Sequence, residues 1–85
     1  MEKRIGTITI LVSDRSRSTE INALISDFSD IILCRQGLPF QNRDVAVISL
    51  IVEGSMNRIN ALTGKVGRIV GIECKAVVTK LKVEE

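Results

Sequence analysis

The sequence predicts one α+β domain, in which four strands form an antiparallel sheet in the order 4-1-3-2 and two helices cover one face. Three observations predict it. Strand-like apolar runs fall at residues 5–12, 30–35, 44–53 and 71–81. Helix-period stripes lie between them at residues 18–28 and 55–65, giving the order β-α-β-β-α-β. The chain has 85 residues, so these segments nearly exhaust it and make a single domain over residues 1–85.

In the first run Gly6, Ile8, Ile10 and Val12 alternate with Ile5, Thr7, Thr9 and Leu11, so the two sets take opposite faces. The polar break Ser13-Asp14-Arg15-Ser16 follows, and Ser16 or Ser18 is expected to cap the first helix. Glu20 falls in its first turn, where the helix dipole favours negative charge. Ile21, Leu24, Ile25 and Phe28 make its apolar stripe.

The second run, Ile31 to Cys34, is expected to stop at Gly37-Leu38-Pro39, since proline cannot donate to a ladder and belongs at an edge or in a loop. Gln41-Asn42-Arg43-Asp44 reads as polar loop. In the third run Ala46, Ile48, Leu50 and Val52 alternate with Val45, Val47, Ser49 and Ile51. Apolar on both faces, this strand is expected at the centre of the sheet.

Gly54-Ser55 reads as a turn and N-cap, and Met56, Ile59, Leu62, Thr63 and Val66 form the second stripe. Gly64 and Gly67 are expected to end that helix. In the last run Ile72, Cys74, Ala76 and Val78 are expected to face inward, and the charged tail from Lys80 to Glu85 to fray. The two halves repeat strand–helix–strand, the split βαβ motif. A short hairpin between runs two and three, with right-handed crossovers elsewhere, leaves 4-1-3-2 as the compact order.

Composition excludes several functions. The net charge of +2 comes from 12 basic and 10 acidic residues spread along the chain, too balanced for a surface that tracks phosphates. Phe28 and Phe40 are the only aromatics, and no aromatic falls on the sheet positions that would stack bases. No direct nucleic-acid contact is expected. The longest apolar run is too short to span a membrane, and the start Met-Glu-Lys-Arg has no cleavable signal layout, so a cytoplasmic location is expected. Cys34 and Cys74 are expected as small semi-buried core residues, on opposite edge strands and too far apart to bond.

The chemistry-bearing residues form no catalytic set. Histidine is absent, so no serine or cysteine has the usual base beside it, and no enzyme is expected. Without His or a C-x-x-C pair no metal or cofactor is expected. The segment Thr63-Gly64-Lys65-Val66-Gly67-Arg68 is not a P-loop, which needs glycine where Ile59 stands and Ser or Thr where Val66 stands. Its glycine backbone N–H groups with Lys65 and Arg68 remain a weaker candidate for holding an anion. Thr7, Thr9, Leu11, Val47, Ser49 and Ile51 lie on the sheet face the helices leave bare. Three aliphatics among three hydroxyls make that face a candidate interface with another copy, as a homodimer or tetramer.

Three segments carry a family resemblance. Arg4-Ile5-Gly6, Arg35-Gln36-Gly37-Leu38-Pro39 and Ala61-Leu62-Thr63-Gly64-Lys65-Val66-Gly67 resemble the iron-only hydrogenase system regulators. The resemblance implies a ferredoxin-like domain of the ACT type, similar to the C-terminal ligand-sensing domain of nickel-responsive repressors. Such domains associate through their sheets and often bind small effectors at the subunit boundary. Nickel sensing uses His and Cys ligands, so the absence of His keeps nickel binding from carrying over. No helix-turn-helix or basic arm is visible, so regulation is expected through an effector or a regulatory protein partner.

The expected function is therefore a non-catalytic, small-molecule-sensing homo-oligomer linked to the iron-only hydrogenase system. The candidate ligand residues are Ser13, Asp14, Arg35, Gly37, Pro39, Gly64, Lys65 and Gly67. A structural module docking onto a larger protein is the alternative.

Overall fold

A computed structural model describes the backbone of residues 2–40 and 43–84, and side chains up to residue 79. Its elements are β1 (Glu2–Val12), a short 3-10 helix (Arg15–Arg17), α1 (Ser18–Asp27), β2 (Ile32–Pro39), β3 (Ala46–Gly54), α2 (Met56–Gly67) and β4 (Ile72–Glu84). The strands form one antiparallel sheet in the order β2-β3-β1-β4, which is the predicted 4-1-3-2. The fold is the ferredoxin-like βαββαβ arrangement.

The alternation of β1 and β3 decides where the core lies. Ile8, Ile10 and Val12 of β1 and Ile48, Leu50 and Val52 of β3 are buried. They pack with Ile21, Ile25 and Phe28 from the first helical segment and Ile59, Leu62 and Val66 from α2 in one cluster. Both helices thus lie over the same sheet face, and neither covers the other. In α2 the Ser55 hydroxyl accepts the Arg58 backbone N–H at 3.2 Å, the expected N-cap.

Several local expectations are corrected. Neither Ser16 nor Ser18 caps α1: its N-cap residue, Arg17, makes no side-chain cap bond. Asp14 instead caps the 3-10 helix, accepting the Ser16 N–H at 3.0 Å and the Ser16 hydroxyl at 2.6 Å. The chain spends one tight turn reversing from β1 before α1 begins, so the cap sits before that turn.

β2 does not stop at Gly37 but runs through Pro39, which pairs with Ala46. The Phe40 N–H donates to the Val45 carbonyl at 3.1 Å, so by alternation the nitrogen of Pro39 faces the open edge. Its missing N–H removes no ladder bond there. The polar loop positions Gln41 and Asn42 lie outside the described residues.

Gly64 lies inside α2 and does not stop it, whereas Gly67 is the last residue of the helix, at the expected end. Burial of Leu62 and Val66 outweighs the roughly 1 kcal/mol by which a helical glycine falls short of alanine. The chain turns at Gly71, the described residue with a positive φ of 82°, whose carbonyl accepts the Ser13 N–H at 2.9 Å.

The expected fraying tail is also corrected: backbone pairing continues through Arg4↔Lys82, Lys3↔Val83 and Glu2↔Glu84. β1 begins early enough to give the tail a partner. Of the last strand's inward set, Ile72 is buried, Cys74 and Val78 are half-buried, and Ala76 is exposed. Ala76 lies opposite buried Ile8, but its methyl on an edge strand is too short to reach beneath the helices. Cys34 is exposed, not semi-buried, because β2 is an edge strand and Cys34 faces the bare side beside Ile51. The two cysteines are free and lie on opposite edge strands.

Candidate functional site

Strand alternation turns Arg35, opposite Leu50, toward the helix side of the sheet. There its Nη2 donates to the Asn22 Oδ1 of α1 at 2.6 Å. Ser18, one helical turn before Asn22, and Arg15 of the 3-10 helix continue this polar wall. Opposite it, Gly37, Leu38 and Pro39 of β2 and Ala46, Val47 and Ile48 of β3 complete a groove of about 290 Å³. Its lining contains two arginines and no carboxylate.

The nearby acids are engaged elsewhere. Glu20 pairs with Arg17 at 2.8 Å, and Asp14 holds Ser16. Those bonds from the Ser16 hydroxyl and N–H keep the Asp14 carboxyl below its ordinary pKa, with the Arg17 charge adding to the effect. Stabilisation from this cap is therefore complete above the unfolded carboxyl pKa and lost as pH falls through the lower folded value. The melting-temperature gap between the wild type and Asp14→Ala is expected to hold from neutral pH down to about pH 4 and to close below it. A gap that persists unchanged at lower pH would show that the carboxylate is not the cap.

The groove gathers Arg35, Gly37 and Pro39 from the predicted ligand residues, and leaves the other five out of its lining. Ser13 and Asp14 organise the turn beside it, through Gly71 and Ser16. Gly64 and Gly67 are exposed on α2. The Lys65 ammonium lies 5.5 Å from the ring centroid of buried Phe28, where the Arg58 guanidinium also stacks at 4.3 Å. Arg58 further pairs with Asp30 at 2.5 Å. The sequence places Arg15 within the candidate loop from Ser13 to Ser16 but does not single it out, and it leaves Ser18 and Asn22 outside the candidate site. The spacing of Ser18 and Asn22 was the available signal, since it places both on one side of a helix.

On the opposite face of the sheet Thr7, Thr9 and Ile51 are exposed and Leu11, Val47 and Ser49 are half-buried. Leu38 (58% exposed) and Val77 (69%) widen this apolar area. A shallow hollow of about 310 Å³ lies on it, lined by Gln36, Gly37, Leu38, Val47 and Ser49. Gly37, Leu38 and Val47 line both this hollow and the arginine groove. Burial pushes the Cys74 thiol pKa up. Among the described residues no group of three His, Cys, Asp or Glu side chains is placed to hold a metal, and no helix is long and apolar enough to cross a membrane.

A ferredoxin-like sheet bare on one side, with a cationic groove on the other, defines a small α+β domain. A family model described as "TM1266-like: Iron-only hydrogenase system regulator, putative" matches residues 4–76, and the chain belongs to that family. Among solved structures it is similar to the uncharacterized protein TM1266 from Thermotoga maritima, at 38% identity and a TM-score of 0.86, covering 92% of this chain and 99% of that one. It also shares its fold with CutA1 from Oryza sativa, at 18% identity and a TM-score of 0.52, covering 91% of this chain and 81% of that one. No curated protein matches the chain.

Proposed function

We propose that this chain is a non-catalytic cytoplasmic regulator in the iron-only hydrogenase system. It senses a small anionic effector in the arginine groove and self-associates through the bare face of its sheet. The observation that carries this reading is the groove itself: Arg15 and Arg35 line it without a carboxylate among its walls. Family membership supports the regulatory role. Gly37, Leu38 and Val47, shared by groove and bare face, give effector binding a short route to the association surface.

Two measurements test the two halves of this reading. An effector at 100 times its Kd is expected to raise stability by about 2.7 kcal/mol in a thermal screen of anionic metabolites. Self-association is expected to bury Cys34, which sits opposite Ile51 on the bare face, so alkylation of Cys34 should slow as protein concentration rises. Labelling independent of concentration would remove the homo-oligomer. A second reading, a module docking on a larger protein, draws on the exposed Leu33 (63%) and Leu38 of edge strand β2. It predicts no thermal shift with any small anion.

A further inference from the structure

The groove holds more information than its sign. It is lined by two guanidinium-bearing residues, two neutral polar residues and an apolar floor. Arg35 has only the neutral Asn22 amide as a side-chain partner, and Arg15 has no ion-pair partner among the described residues. Guanidinium groups pair with carboxylate and phosphate oxygens through parallel N–H donors, so two of them suit two anionic groups or one doubly charged one.

The lining equally lacks things. It offers no Asp or Glu to neutralise an ammonium group, and an ammonium placed beside two arginines meets like charge. It offers no aromatic on which a base could stack, and its volume of about 290 Å³ is at the lower end for small-molecule sites. Zwitterionic amino acids and nucleotides both fit poorly. The apolar part of the wall, including Pro39, Ala46 and Ile48, suits a short carbon skeleton.

We propose that the groove takes a compact acid with two anionic groups and no amino group, of the class of phosphorylated or dicarboxylic hydroxy acids. Arg15 and Arg35 hold its two anionic groups, with Ser18 and the Asn22 amide nitrogen as neutral donors to the remaining oxygens. The proposal rests on the effector-sensing reading and narrows it to a ligand class.

The test is calorimetric titration of the full chain with two matched probes. 3-Phosphoglycerate carries a phosphate, a carboxylate and a hydroxyl; O-phosphoserine carries the same two anionic groups with an ammonium in place of the hydroxyl. 3-Phosphoglycerate is expected to bind about tenfold or more tightly than O-phosphoserine. Arg15→Ala and Arg35→Ala, both surface changes, are each expected to weaken it by about ten- to a hundredfold. Lys75→Ala, on the opposite face of the sheet, should leave it unchanged. O-phosphoserine binding equally well would overturn the ligand class while leaving anion sensing in place. Failure of both probes to bind would overturn the ligand class, while a thermal shift with another anion in the metabolite screen would still uphold the groove's anion-sensing role. Binding that survives both arginine variants and falls with Lys75→Ala would place the anion elsewhere and overturn the site.

Discussion

Leu50→Ala should lower the melting temperature by about 10–40 °C, the largest single-residue loss expected from this chain. Leu50 is 0% exposed at the middle of β3, within the cluster that joins the sheet to both helices. Truncating such a leucine costs about 2–5 kcal/mol, from lost transfer free energy and from the cavity that remains. A domain of this size has about 4–13 kcal/mol of stability in all. The substitution therefore removes a large share of it. Leu38→Ala is the control: the same chemical change on the bare face of edge strand β2 removes little buried area from the monomer. Urea unfolding of both variants at one low protein concentration separates folding from association. A Leu50→Ala protein melting within a few degrees of the wild type would mean that the core is not where the structure puts it.

Gly6→Ala is expected to destabilise by about 1–3 kcal/mol, whereas Gly64→Ala should stabilise by about 0.5–1 kcal/mol. Gly6 lies in β1 opposite Val78, just after the pairing shift between β1 and β4. A Cβ there would stand 2.9 Å from the Val77 carbonyl oxygen and 3.3 Å from the Val78 Cα. These are backbone atoms, so relief requires β4 to move away from β1 along the longest ladder of the sheet. Gly64 lies exposed in α2, and a Cβ there meets nothing within 4 Å. The helix then gains alanine's propensity without a clash. Equilibrium unfolding of the two variants reads both signs in one experiment. A Gly6→Ala protein as stable as the wild type would show that β4 yields easily at this point.

The glycine pair also explains where sequence reading succeeded and where it failed. Gly64 and Gly67 look like a helix stop because isolated glycines favour one; α2 does end at Gly67, yet burial of Leu62 and Val66 carries it through Gly64. Gly6 looks like an ordinary strand residue, and only the approach of β4 gives it a role. At the N-terminal side of α1 the sequence offered Ser16 and Ser18 as caps, and neither serves as one. Asp14 took the 3-10 turn because the chain reverses there before the helix starts.

The candidate site was partly legible. Arg35, Gly37 and Pro39 stood out as a run and Arg15 lay within the candidate loop from Ser13 to Ser16, but Ser18 and Asn22 did not stand out, because nothing local links them to β2. They meet only because β2 lies at the sheet edge beyond β3, beneath one side of α1.

The sequence alone determined the element order, the strand order, the inward set of β1 and β3 and the two helical stripes. Periodicity records which face of each element is apolar, and hydrophobic burial makes that pattern decide the layers. Only the tertiary structure decided that α2 runs through Gly64, that the C-terminal tail pairs with the start of β1, and that two arginines distant along the chain share one groove. Those outcomes depend on which segments become neighbours in space, and single-residue preferences of at most about 1 kcal/mol do not encode that.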